Sequence, residues 1–309
     1  MINLNHLIDR LQIITSFNQL GAFKGCVVDS FRWLEQNFSN IHVDELVVER
    51  ARFTDALLCK AWQLQELHLV KSLSLCAVGG YGRGQMQPYS DIDLLILSEK
   101  PLSKETQEKV SVLITFLWDI KLEVGQSVRT IKDTVKLAKN DITIATNLVE
   151  ARLLCGSNGP FDTLMAKISH DKIWSSKDFF LAKLEEQKQR HAKFNDTSYN
   201  LEPNIKENPG CLRDIQNIGW VAKKHFQEYD GLTLIGHGYF TELEHAELIE
   251  CRSNLWQIRF ALHLVSKRCE NRLLFDYQPD VARFLGFGDG KQGVEKMMKH
   301  LFRIVRRVS

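Results

Sequence analysis

Two aspartates one residue apart, Asp91 and Asp93, head the apolar run Leu94-Leu95-Ile96-Leu97, and ten residues separate them from an upstream glycine pair, Gly79-Gly80. Alternate side chains of a strand share a face, so the two carboxylates point the same way, about 7 Å apart along the chain. Two such charges repel unless a cation sits between them. Hard divalent cations such as Mg²⁺ favour carboxylate oxygens together with substrate phosphates. Glycines, lacking a Cβ, let backbone N–H groups come close to phosphate oxygens. The pattern predicts a triphosphate held between a glycine turn and a two-metal carboxylate pair. The matching chemistry is in-line displacement at the α-phosphate, one metal activating the attacking hydroxyl and the other stabilising the leaving pyrophosphate. A bare Asp-x-Asp reads more simply as a turn end followed by a solvated strand-edge residue. Here the glycine pair, Arg83 in the intervening loop, Ser90 directly before the carboxylates and the apolar run after them weigh against that. Arg83 is expected to pair with a phosphate oxygen, since a guanidinium offers planar bidentate donors, and Ser90 is counted with the nucleotide-binding residues.

The elements around these residues follow from periodicity. Leu46, Phe53, Leu57, Ala61 and Leu64 recur at helical spacing and predict a long amphipathic helix over Val43–Leu64. Leu73–Val78 and Asp91–Leu97 read as buried strands, and the glycines and proline of Gly79–Ser90 between them predict a loop without regular structure. A helix with Ser103 as N-cap runs to about Trp118, and Leu122–Arg129 is a third strand. Helical patterns follow at Lys132–Lys139 and at Thr143–Leu154, the latter capped by Asp141 and closed by Cys155-Gly156. The first domain is expected to end near Gly159-Pro160. Beyond Phe161 the pattern is helical, as at Phe179–Phe194 and Phe240–Lys267, broken by Pro203–Gly210. The fold class is α+β: residues 1–70 a helical segment, 71–160 a small mixed sheet with helices, and 161–309 an all-helical domain.

With 309 residues, 44% apolar and 25% charged, the chain has globular composition, and disordered or collagen-like order is excluded. A formal net charge of +2 gives no global field toward nucleic acid or an anionic membrane. The longest apolar runs, such as Leu113–Trp118, fall far short of the roughly 20 residues of a membrane span. Met1–Gly21 lacks the features of a secretion signal, so a cytoplasmic location is expected. Seven cysteines without any C-x-x-C pair predict reduced, largely buried thiols rather than disulfides or a zinc ribbon.

The run GGYGRGQMQPYSDIDLLIL resembles the signature of the nucleotidyltransferase superfamily that includes DNA polymerase β. Its flanks are similar, more narrowly, to the bacterial PII uridylyltransferase/uridylyl-removing family: FLWDIKLEVGQSVRT from Phe116, DITIATNLVEARLLCG from Asp141, YNLEPNIKENPGCLRDIQ from Tyr199 and RLLFDYQPDVARFLG from Arg272. The resemblance implies a polymerase β-like domain followed by a helical one. It implies transfer of UMP from UTP to a tyrosine hydroxyl on the T-loop of the PII signalling protein, with release of pyrophosphate and Mg²⁺ or Mn²⁺ as cofactor. By the same token Gly79 and Gly80 take the phosphate turn, and Asp91 and Asp93 the metal positions. Superfamily members usually add a third carboxylate on a later strand; Glu123, between Leu122 and Val124, has the expected form and would complete the metal site or act as general base. Glu150 or Asp141 could reach the site instead, and Glu123 could be an exposed strand-start residue. In the polar segment Asn204–Asp214, a family hallmark, Lys206 and Arg213 are candidates for nucleotide or PII contacts. The competing reading there is an Arg213–Asp214 structural ion pair. Cys211 stands where the family commonly has a second glycine.

Gly288–Gly293 matches G-x-G-x-x-G but follows no convincing strand, and is expected to be a helix–helix loop. His170-Asp171 shares the dipeptide of the HD phosphohydrolases without the other ligands and is expected to be a surface turn. The family is normally longer, with an HD domain and two ACT domains, so truncation at the C-terminus is expected here, leaving the transferase half alone. The cluster Arg303, Arg306 and Arg307 is expected to cap an interdomain face or helix end; no nucleic-acid or membrane partner is expected. Two other functions fit the same residues: another protein nucleotidyl transfer, such as adenylylation, or a catalytically silent nucleotide-sensing docking module.

Overall fold

The computed structural model describes residues 3–169, 172–197, 199–226 and 232–309. It divides into two compact units, 1–173 and 174–309. In the first, three helices, α1 (Leu4–Gln12), α2 (Leu20–Asn37) and α3 (Val43–Leu64), precede the first strand. Of the predicted stripe on α3, Leu46, Phe53, Leu57 and Ala61 are buried and Leu64 is half-buried, and Asp44 and Glu45 sit in the first turn, where carboxylates favour the helix dipole. Then come β1 (Leu73–Ala77), the single turn α4 (Gly79–Gly82), β2 (Ile92–Ser98), α5 (Lys104–Asp119), β3 (Val124–Thr130), α6 (Ile131–Asn140), α7 (Ile142–Val149), β4 (Arg152–Gly156) and α8 (Asn158–Ile168). The Ser103 hydroxyl caps α5 by accepting from Thr106 N, and Asp141 caps α7 by accepting from Thr143 N and Ile144 N.

The sheet is mixed, in the order β3-β2-β1-β4. β1 runs antiparallel to both β2 and β4, and β2 runs parallel to β3. The two inner strands are buried along nearly their whole length, in keeping with their mostly apolar sequences. On one face Cys76, Leu95 and Leu97 pack with Ile131, Ala138, Leu148 and Leu164 from α6, α7 and α8. Each leucine or isoleucine among them contributes about 1.5–3 kcal/mol by leaving water. Because Leu95 and Leu97 share their face with Asp93, this core fixes which way its carboxylate points.

The structure departs from the sequence reading in three places. The helix expected over Thr143–Leu154 stops at Val149, and Arg152–Gly156 forms a fourth strand. Its apolar residues keep helical spacing, but a vacant edge of β1 takes them. Gly156 permits the approach: at φ +92° it stands where a Cβ would lie 2.7 Å from Leu73 O. The segment after β1 is not wholly irregular, since Gly79–Gly82 closes one helical turn. Gly159-Pro160 falls in the first turn of α8, and the division between units comes at Ile173/Trp174.

The second unit is helical: α9 (Ser176–Ala192), α10 (Leu212–Phe226), α11 (Leu232–Gly236), α12 (Glu242–Ser266), α13 (Gln278–Phe284) and α14 (Gly290–Val308). A single bridge, Asn204 to Arg272, is its strand-like pairing among the described residues. Of the G-x-G-x-x-G match, Gly288-Asp289 lie in the α13–α14 connection and Gly290–Gly293 form the first turn of α14, so it is a loop only in part. His170-Asp171 lies outside the described residues.

Candidate functional site

β1 delivers the chain to the glycine turn. Val78 N donates to Asp93 O at 3.0 Å, fastening the turn's start to β2, and Gly82 N donates to Val78 O at 3.1 Å. Gly79 has φ +55°, a conformation that a side chain disfavours. A Cβ on Gly79 would lie 3.0 Å from Asp93 Oδ2 and 3.4 Å from Asn147 Oδ1 on α7. Across the parallel pair Asp93 faces Gly125, where a Cβ would come within 2.9 Å of Asp93 Oδ1. One carboxylate oxygen is thus set against each glycine.

Asp91 lies two residues back, directly before β2 begins, and is exposed. Register Ile92↔Val124, with Ile92 N donating to Glu123 O at 2.9 Å, sets Glu123 abreast of Asp91. Glu123 is likewise exposed. Its rivals are occupied: Asp141 caps α7, and Glu150, buried, pairs with Arg83 at 2.5 Å. Among the described residues no group of three or more His, Cys, Asp or Glu side chains is gathered closely enough to hold a metal ion. Asp91 and Asp93 therefore offer a hard pair of oxygen donors without a closed third ligand. That donor set, with the Asp93 carboxylate fitted between two glycines, fits a divalent cation carrying phosphate.

Arg83 is committed to Glu150, so its guanidinium stands beside the turn already neutralised. Gly80 adjoins it, a Cβ there lying 3.5 Å from Arg83 Nη2. Ser90 sits half-buried in a turn, its N–H donating to Gln87 O at 3.2 Å. The Gln87 side chain is 4% exposed, and neither amide atom has a hydrogen-bond partner among the described residues.

A support absent from the sequence reading seats the turn. Tyr81, fully buried, donates its hydroxyl to Asp55 Oδ1 at 2.5 Å, and Arg152 brackets the same carboxylate at 2.7 and 3.1 Å. Arg152 Nε also reaches Gly82 O at 3.4 Å. Burial, reinforced by the Asp55 charge, pushes the Tyr81 phenol well above its ordinary range, so it remains a donor.

Lys206 and Arg213 belong to the second unit. Asn204 Oδ1 accepts from Lys206 N and Glu207 N at 3.0 and 2.9 Å, and Arg213 N donates to Lys206 O at 2.8 Å, so the segment is a hydrogen-bonded loop. Gly210, at φ +75°, lies where a Cβ would meet Val305 O at 2.5 Å. Cys211 is buried and is not among the residues at positive φ, so a side chain is tolerated where the family has glycine. Arg213 pairs with Glu207 at 3.0 Å and lies over the Trp220 ring at 5.2 Å. The Arg213–Asp214 pair is not formed; Asp214 takes Arg190 at 2.5 Å, His191 at 3.0 Å and Gly210 N at 2.6 Å. The Lys206 ammonium is lowered from its ordinary value by burial and then by the charges of Arg213 and Arg259.

A glycine turn and a carboxylate pair at the head of one strand of a small mixed sheet define a nucleotidyltransferase domain, and residues 61–149 match the family model of that description. Residues 178–309 match the model described as GlnD PII-uridylyltransferase. The chain is 50% identical over 298 residues to a bifunctional uridylyltransferase/uridylyl-removing enzyme of Pseudoalteromonas translucida, covering 96% of this chain and 34% of that protein. Proteins of the same name from Photobacterium profundum and Vibrio cholerae are 52% identical over 267 residues and 48% identical over 285 residues. These cover 86% and 91% of this chain, and 30% and 32% of theirs. The chain thus spans about a third of the length of the curated relatives it matches. Among the described residues no helix is long and apolar enough to cross a membrane.

Proposed function

We propose that this chain transfers a uridylyl group from UTP to a tyrosine hydroxyl of a PII protein in the bacterial cytoplasm, releasing pyrophosphate. The observation that carries the reading is the Asp93 carboxylate lodged between Gly79 and Gly125. In this reading the backbone of Gly79-Gly80 takes the triphosphate, for which the missing Cβ atoms leave room. Asp91 and Asp93 hold Mg²⁺ or Mn²⁺, which when bound supplies neutralisation of the phosphates and activation of the attacking oxygen. Glu123 accepts the tyrosine proton or joins the donor set from its place abreast of Asp91. Ser90 and Arg83 flank the phosphates, Arg83 exchanging its Glu150 contact for a phosphate oxygen. Lys206 and Arg213 contact nucleotide or PII. The names of the relatives support the uridylyl group and the PII acceptor.

The test is incubation with Mg²⁺, PII and each of the four nucleoside triphosphates in turn, followed by mass analysis of PII. A uridylyl adduct from UTP alone is expected. An adenylyl adduct from ATP would replace the substrate assignment, and no adduct together with no Mg²⁺-dependent UTP binding would overturn the reading.

A further inference from the structure

β3 is an outer strand of the sheet, and it carries Gly125 against Asp93. Ile92 N donates to Glu123 O, so in the parallel ladder Gly125, Ser127 and Arg129 turn their backbone groups toward β2, while Gln126 and Val128 turn theirs outward. Among the described residues those outward groups make no hydrogen bond, and Gln126 and Val128 are exposed. Open edges are commonly guarded by lysine, proline or a bulge. β3, VGQSVRT, has neither lysine nor proline, and its register runs unbroken from Ile92↔Val124 to Ser98↔Thr130. Its one charged residue, Arg129, stands toward the end away from Gly125.

The two faces of this edge differ. On the Asp93 face, Gly125 leaves a gap in the row of side chains, and Asp93 Oδ1 lies 2.9 Å from where a Cβ would stand. On the opposite face Gln126 and Val128 join Ile114 and Trp118 of α5 and Ser98 of β2 around a groove of about 540 Å³. Trp118 and Val128 are exposed apolar side chains there. We propose, resting on the transfer reading above, that the acceptor docks as an added strand on β3: an extended, tyrosine-bearing segment of the PII protein. Unpaired backbone groups at every second residue are matched by extended main chain. A tyrosine beside Gly125 lies over the missing side chain, as aromatic neighbours of strand glycines do. Its ring spans the roughly 4.8 Å between strands, bringing the hydroxyl to the end of the sheet where Asp93, Asp91 and Glu123 stand. Alternation then places the acceptor residues opposite Gln126 and Val128 on the groove face, so the groove selects apolar side chains flanking the tyrosine.

The experiment measures amide hydrogen exchange of the chain with and without PII, in Mg²⁺ and α,β-methylene UTP, which cannot release its uridylyl group. Slower exchange over β3 on adding PII is expected. Steady-state labelling of PII with UTP is the second readout. Gln126→Pro removes one outward donor where an edge strand tolerates proline, and Val128→Lys and Trp118→Ala alter the groove with the backbone intact. Each is expected to raise KM for PII about 10-fold, with kcat at saturating PII and Mg²⁺-dependent UTP binding unchanged. Exchange over β3 unaffected by PII would overturn the proposal, as would an unchanged KM in both Val128→Lys and Trp118→Ala. So would protection of β3 already present without PII and growing with protein concentration, which would make a second copy of this chain the occupant. Protection by PII without any labelling would support the docked strand and count against the transfer reading instead.

Discussion

Asp93 and Gly125 face one another across the parallel strands β2 and β3, and a Cβ on Gly125 would stand 2.9 Å from Asp93 Oδ1. The spacing is tighter than a side chain tolerates, so Gly125→Ala must push the carboxylate aside. A displacement of about 1 Å at a reacting centre costs up to about 100-fold in rate. Gly125→Ala is therefore expected to lower uridylyl transfer about 10- to 100-fold with little change in urea midpoint, since the position is exposed. Steady-state transfer at saturating UTP checks this; an unchanged rate would remove Gly125 from the site.

Of the three candidates for the third carboxylate, Asp141 caps a helix and Glu150 pairs with an arginine, whereas no such contact is seen for Glu123 among the described residues. Glu123→Gln keeps shape and removes charge. Loss of a general base lowers a rate by about 10²–10⁴. That fall is expected, and a negligible one would leave Glu123 a solvated strand-start residue.

The glycines and aspartates could be read from sequence because their message is local: spacing, missing side chains, and an apolar run behind the charges. Gly125 could not, because its role arises only when β3 takes register beside β2. Its one signal was a glycine two residues after a candidate acid. β4 escaped because Leu153, Leu154 and Cys155 continue the spacing of the helix before them, and the preference for β1's open edge is tertiary. The pairing of Arg152 with Asp55 joins residues 97 positions apart, and no periodicity announces it. Arg83 was assigned to phosphate on its chemistry alone; the buried Glu150 beside it comes from the far end of α7.

Lys206 and Arg213 should respond differently to truncation. Arg213→Ala removes the closer of two arginine contacts to Glu207 and one of the two cations over Trp220, so a stability loss of about 1 kcal/mol is expected along with weaker UTP or PII binding. Lys206 is a partly buried ammonium among like charges, so Lys206→Ala is expected to weaken binding without lowering the unfolding temperature. Calorimetric titration beside thermal unfolding separates the two. Unchanged affinity in both variants would make the loop purely structural.

Alkali should weaken the fold early. Burial lifts the Cys76 thiol from 9.0 to about 12, so between those values the native chain keeps a proton that the unfolded chain gives up. The unfolded state then binds fewer protons, and stability falls as pH rises through this window, the full contribution being present below 9. The urea midpoint is expected to drop between about pH 9 and pH 11, with a shallower slope in Cys76→Ala. A midpoint independent of pH over that range would contradict the burial of this thiol.

The most direct test of the nucleotidyl-transfer account is Asp93→Asn in the PII labelling reaction with Mg²⁺ and UTP. The substitution keeps the shape between Gly79 and Gly125 and removes the charge. The expected result is no labelled PII from a chain whose circular dichroism and unfolding match those of the unsubstituted protein. Labelling at the unsubstituted rate would contradict the carboxylate assignment on which the mechanism rests.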